Sequence, residues 1–275
     1  MMLTNQEDKR KAEDLELILS HTEASPETRK TIIATYDALT RAKEKYFNPA
    51  DSEDYSKRHG MFILIGYDHH NSSLNVNGWQ SKTLEGYNVH DHNGKEKIKE
   101  LLRQDGATVV NAHTGTIESY HRHVHVDPEQ VALERKVIRE GEQISSVQMG
   151  FDEKARKELC GEDDYEGVGT KHQTALAATA KDPNIYSVVL SEETGAIAVM
   201  NGYKIIFSTI TSEIHPAYCK YLTSFTHAEH PSPGKNKSTT NDSVHSMSPD
   251  EELFLSFKIR QEALSTLRHS YHGAY

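Results

Sequence analysis

Ile185-Tyr186-Ser187-Val188-Val189-Leu190, Ala196-Ile197-Ala198-Val199-Met200 and Tyr203-Lys204-Ile205-Ile206-Phe207 follow one another with only short polar breaks between them. Runs this short and this rich in Val, Ile and Tyr read as strands rather than helices. Asn201-Gly202 suits a tight turn between the second and third runs, and Glu192-Glu193-Thr194-Gly195 suits a turn between the first and second. Upstream, the small residues from Thr170 or Lys171 to Ala180 read as a helix, and Met61-Phe62-Ile63-Leu64-Ile65-Gly66 as a further buried strand. Asp105-Gly106-Ala107-Thr108-Val109-Val110 opens another strand, Gly115 permits a turn, and residues 116–121 return antiparallel. Helical segments are expected at 7–20, 26–45, 95–104, 128–140 and 152–159. Helices alternating with strands define an α/β fold, with a central mixed β-sheet flanked by helices and extra helices at the N- and C-terminal ends.

Four regions follow. Residues 1–50 form accessory helices, in which Ser25-Pro26 is a cap and first-turn pair and Ile32, Ile33, Tyr36, Leu39 and Ala42 recur at helical spacing. Residues 58–226 form the main domain, entered through a polar loop at 48–60 and interrupted by the exposed connection 68–72. Residues 227–249, rich in His, Ser, Pro, Asn, Gly and Lys, form a flexible linker. Residues 250–275 form a C-terminal helix whose apolar face, including Leu253, Phe254, Phe257 and Leu267, is expected to pack within its own chain.

The 275 residues carry 31 basic and 41 acidic side chains, a formal charge of −10. A surface this acidic argues against a stable nucleic acid partner, whereas a small nucleotide needs only local amides, a cation or two and a divalent ion. Cys160 and Cys219 form neither a disulfide framework nor a CxxC pair, and no apolar stretch reaches the roughly 20 residues that cross a bilayer. These features suit a reduced cytoplasmic chain with no membrane contact.

Three segments carry the chemistry. Asp105 precedes Gly106 and Ala107, residues small enough to admit a ligand to the backbone; read alone, Asp-Gly is equally a turn that begins a strand. Gly167-Val168-Gly169-Thr170 leads into a helix, so that backbone N–H groups, the helix N-terminus and Lys171 can face a phosphate. Thr170, His172, Gln173 and Thr174 add polar groups at the same mouth, and the competing reading is helix entry with Thr170 as an ordinary N-cap. The spacing is not that of a P-loop. Ser191-Glu192-Glu193-Thr194-Gly195 is either a solvated acidic turn or, beside Asp105, part of a metal site.

Asp105-Gly106-Ala107, Gly169-Thr170-Lys171-His172-Gln173-Thr174-Ala175 and Val188-Val189-Leu190-Ser191-Glu192-Glu193-Thr194-Gly195-Ala196-Ile197 together resemble, in order and approximate separation, the signature blocks of the diadenylate cyclase domain family. The resemblance covers roughly residues 60–210. It implies a diadenylate-cyclase-like fold that condenses two ATP into cyclic di-AMP with release of pyrophosphate, in a homodimer whose active sites face each other. It implies that Asp105 binds Mg²⁺ or Mn²⁺ and helps activate a ribose 3′-hydroxyl, with Glu192 and Glu193 as further metal ligands. Gly106 and Ala107 would lie against the nucleotide; Gly169, Thr170, Lys171, His172, Gln173 and Thr174 would cradle phosphates, with Lys171 and His172 counted among the catalytic groups; Ser191 would add a contact. The family block reads Arg-His-Arg where this chain has Lys171-His172-Gln173. Lysine loses the bidentate fork and glutamine the second charge, which leaves room for a silent nucleotide or cyclic-dinucleotide sensor, or for a cyclase making another dinucleotide. Outside these blocks, His121-x-His123-x-His125 alternates as one strand face would and is expected to be structural or surface histidine; His69, His70, His90 and His92 read as exposed loop.

Overall fold

Met61–Ile65, five apolar residues buried on both faces, form β1 at the centre of a seven-stranded sheet. Burial on both faces explains why this run, like Tyr186–Leu190 (β5), shows no alternation. The computed structural model describes residues 2–46, 59–78, 84, 86–102, 104–161, 165 and 167–222. The other elements are helices α1 (Met2–Ser20) and α2 (Pro26–Tyr46), strand β2 (Asn75–Asn77), helix α3 (His92–Leu101), strands β3 (Ala107–Val110) and β4 (Ile117–His125), helices α4 (Pro128–Glu134), α5 (Glu153–Cys160) and α6 (Thr170–Lys181), strands β6 (Ile197–Asn201) and β7 (Lys204–Ser208), a 3-10 turn (Thr211–Glu213) and the one-turn helix α7 (Pro216–Cys219). One compact unit takes in Met1–Tyr221; of the second, Leu222–Tyr275, only Leu222 is described, so the expected linker and C-terminal helix lie outside the described residues.

The strand order is β2-β4-β3-β1-β5-β6-β7. β1 and β3 run parallel and every other neighbouring pair is antiparallel, so the sheet is mixed. Register sorts the side chains by face. Phe62, Leu64, Ala107, Val189, Ala198 and Met200 form one cluster with Ala175, Leu176 and Ala178, which places α6 on their side. The small residues of α6 allow that close approach, and the Ser187 hydroxyl donates to the Ala175 carbonyl at 3.4 Å. α2 crosses β1, β5 and β6, and its Tyr36 meets Phe207 of β7 edge-to-face at 5.4 Å. Ile32, Tyr36, Leu39 and Ala42 are buried as their spacing requires, and the Ser25 hydroxyl accepts from the Thr28 N–H at 3.1 Å as the N-cap.

Several elements depart from the sequence reading. β2 was not anticipated; three residues with two exposed asparagines carry almost no strand signal. The helix expected to reach residue 140 ends at Glu134, where Lys136 turns left-handed at φ 59°. α3 begins at His92 rather than 95, with Asp91 as its N-cap, and in its first turn Gly94 lies against the Asn88 backbone, where a Cβ would sit 1.7 Å from the carbonyl oxygen. A bulge interrupts β4 at the head of the His121, His123, His125 row: β3 advances from Ala107 to Val109 while β4 advances from Arg122 to Ser119, and His121 adopts φ 56° inside that bulge with its ring 6.0 Å from that of His123.

Candidate functional site

The topology brings the three sequence segments to one end of the sheet. Phe62 pairs with Ala107 and Met61 with Leu190, so the start of β3, the start of β1 and the end of β5 lie side by side. Gly60 stands between them. A Cβ there would meet the Leu190 carbonyl oxygen at 2.9 Å and the Glu192 nitrogen at 3.0 Å, so only glycine lets the two strand ends close together. Asp105 and Ser191 therefore stand two inter-strand spacings apart, about 10 Å between backbones. α6 begins over the same end: a Cβ on Gly169 would lie 3.3 Å from Glu193 Oε1.

Within this frame the residues divide. Asp105, Thr170 and Glu192 are exposed, while Lys171, Gln173, Thr174 and Glu193 are half-buried. Lys171 Nζ meets Glu192 Oε2 at 2.9 Å, which ties α6 to the acidic turn. Gln173 Nε2 donates to the Val168 carbonyl at 2.9 Å and braces the loop that enters α6. Gly169, not Thr170, is the N-cap, and no side chain caps the helix; the N–H groups of Thr170 and Lys171 precede the first intrahelical acceptor. Ser191 is buried, and its hydroxyl donates to Glu193 Oε2 at 2.7 Å and accepts from the Thr194 N–H at 3.3 Å. Ala107 packs in the core, and Gly106 (φ 83°) faces the β4 backbone, where a Cβ would lie 2.8 Å from the Arg122 carbonyl oxygen.

His172 is not at the mouth. It is buried, packs edge-to-face on Phe151 at 5.3 Å, and its Nε2 has no hydrogen-bond partner among the described residues. Burial, reinforced by the positive charges of Arg156 and Lys171, holds its pKa well below the ordinary 6.5. The ring is therefore neutral in the folded chain. Its unfolded counterpart binds a proton more readily, so stability is full above pH 6.5 and is lost as pH falls below that value toward the depressed folded pKa, by about 1.4 kcal/mol per pH unit. The urea midpoint should fall between pH 7 and pH 5, and His172→Gln should flatten that slope; equal slopes in the two proteins would remove His172 as the cause.

Sequence reasoning missed what supports this histidine. The Arg156 guanidinium lies 4.8 Å over the Phe151 ring and pairs with Glu213 through Nε at 2.5 Å and Nη2 at 3.2 Å. Glu213 also accepts from the Ser208 hydroxyl at 2.8 Å. The charges sit far apart in sequence, so spacing gave no signal of their meeting.

A metal held by protein ligands alone does not fit: among the described residues no group of three His, Cys, Asp or Glu side chains is arranged to hold an ion. Glu192 and Glu193 contact Lys171 and Ser191 instead. The exposed Asp105 suits the other mode, in which Mg²⁺ takes one carboxylate and completes its shell with phosphate oxygens and water.

A cavity of about 850 Å³ opens at the opposite end, over Gly66 after β1 and Asn111 after β3. Its lining includes Glu23, Asp68 and Glu118 and, among the described residues, no lysine or arginine. Three carboxylates beside histidines but beside no lysine or arginine among the described residues are a poor match for a polyphosphate. Charge therefore favours the end with Lys171 and the α6 N-terminus for a polyphosphate.

No protein-family model matches the chain, and no curated protein matches it. Among solved structures, it is similar to a hypothetical membrane spanning protein from Bacillus cereus, at 13% identity over 66% of this chain and 71% of the other, with a TM-score of 0.34. It is also similar to a double mutant of DacA from Staphylococcus aureus, at 14% identity over 64% of this chain and 89% of the other, with a TM-score of 0.31. Both similarities are weak and distant. Among the described residues no helix is long and apolar enough to cross a membrane.

Proposed function

We propose that the chain is a diadenylate cyclase that joins two ATP into cyclic di-AMP with release of pyrophosphate, working as a homodimer with facing active sites. The observation that carries this reading is the convergence of Asp105, the α6 entry and the Ser191-Glu192-Glu193 turn on one sheet end, although they come from distant parts of the chain. In this reading a nucleotide would lie over the sheet end where β3 starts and β5 ends, and the amides of Thr170 and Lys171, which precede the first intrahelical acceptor, would favour its phosphates. Lys171 can exchange Glu192 for a phosphate oxygen, because the pair is solvent-accessible and weakly held. Asp105 would hold Mg²⁺ or Mn²⁺, which when bound neutralises phosphate charge. The protein's own part is to set the 3′-hydroxyl of one nucleotide in line with the α-phosphate of the other.

One observation favours a second reading, a nucleotide sensor without turnover: Lys171 is paired and Gln173 is turned onto Val168, so neither offers the charge a transferring phosphate needs. Incubation with ATP and either Mn²⁺ or Mg²⁺, with product mass spectrometry and a pyrophosphate assay, separates the two. Cyclic di-AMP supports the cyclase, a different cyclic dinucleotide alters the base preference, and bound but intact ATP supports the sensor. A protein that neither binds nor converts ATP excludes both.

A further inference from the structure

Arg122 lies beside the candidate site without belonging to any of the three segments. It pairs with Ala107 across β3 and β4, and the place of a Gly106 Cβ is filled by its backbone, with the nitrogen 3.0 Å and the carbonyl oxygen 2.8 Å away. Asp105 is the next residue. Because paired residues of antiparallel strands share a face, Arg122 projects from the face on which Ala107 joins the core cluster that α6 covers. The bulge at His121 sets this aim: Ser119 and Arg122 both pair with residues on that face although three positions apart, and Arg122 Nε donates to the Ser119 hydroxyl at 3.0 Å. Ser119 is itself buried, so the guanidinium is anchored at one nitrogen. Among the described residues no carboxylate pairs with Arg122, and its terminal nitrogens have no hydrogen-bond partner. In the neighbouring bulge residue, His121 Nδ1 is buried and equally without a partner.

We propose that Arg122 is a phosphate-binding residue, gripping the polyphosphate of the bound nucleotide from the Asp105 side and supplying the forked cation that the α6 block lacks at Gln173. This proposal rests on the nucleotide reading above. A guanidinium fixed through Nε presents its two terminal nitrogens as a fork that matches two phosphate oxygens, which a lysine cannot reproduce.

The test measures equilibrium binding of ATP and of adenosine, each with Mg²⁺, to the wild-type chain and to Arg122→Gln and Arg122→Lys, with thermal unfolding of each protein alongside. Arg122→Gln should weaken ATP roughly tenfold to a hundredfold, the loss expected for a charge-assisted hydrogen-bonded pair, and leave adenosine unchanged. Arg122→Lys should fall between; it also carries the test if the glutamine variant does not fold. Unchanged ATP affinity in folded Arg122→Gln overturns the proposal, as does equal weakening of ATP and adenosine, which marks a structural role. Failure of the wild-type chain to bind ATP overturns the nucleotide reading itself, and a loss confined to the variants does not.

Discussion

Asp105→Asn should lower pyrophosphate release from ATP by about a hundredfold or more at saturating Mn²⁺, the loss typical when a principal electrostatic contact of a transition state is removed. The substitution keeps the shape of the side chain and removes its charge. Asp105 is exposed and precedes β3, so the melting temperature should stay within about a degree of wild type. The single-turnover rate of pyrophosphate formation, read beside ATP affinity, is the appropriate measurement. Near-normal turnover in Asp105→Asn would remove the proposed role of this carboxylate, whereas loss of ATP affinity alone would reassign it to ground-state binding.

The largest stability effect is expected at Glu213. Its side chain and that of Arg156 are 0% and 1% exposed, so Glu213→Ala strands a guanidinium in the core. Breaking a buried pair from one side costs about 3–5 kcal/mol. For a folded unit of this size that lowers the melting temperature on the order of 10 °C. The damage should reach the candidate site, because Arg156 supports Phe151 and Phe151 supports His172 in the first turn of α6. Replacing both partners, Arg156→Met with Glu213→Leu, should recover most of the loss, since an apolar pair of similar volume carries no stranded charge. A Glu213→Ala midpoint in urea within about 1 kcal/mol of wild type would mean that water reaches the guanidinium despite its burial.

Much of the sheet was legible because its central strands are apolar on both faces and separated by turn residues, as in residues 185–207. β2 was not, since Asn75 and Asn77 acquire strand geometry only by pairing with His125 and His123 of β4. The three chemical segments could be picked out, but not the state of their side chains. Nothing local shows that Lys171 meets Glu192 or that Gln173 folds back on Val168, because each partner is set by how α6 lands on the sheet. His172 was placed with its polar neighbours at the mouth; its burial depends on Phe151, which another loop delivers. Period-two counting from Ile117 and Ser119 fails beyond the bulge at His121, where one residue in a left-handed conformation redirects Arg122. Residues on either side of a bulge cannot be assigned to faces by counting.

The pairing of Met61 with Leu190 has a kinetic meaning as well. β1 and β5 are neighbours in the sheet but are divided by β2, β3, β4 and four helices along the chain, so their contact closes one of the longest loops in the described fold. Long-range pairings of this kind form late, after local hairpins and helices are in place. A chain still emerging from the ribosome therefore has Asp105 long before it has the Ser191 turn, so the proposed nucleotide site is incomplete until β5 is made. Under the proposed function, occupancy of that site would report completed folding, and a nucleotide that binds only there would slow proteolysis of the finished molecule while leaving the nascent one exposed.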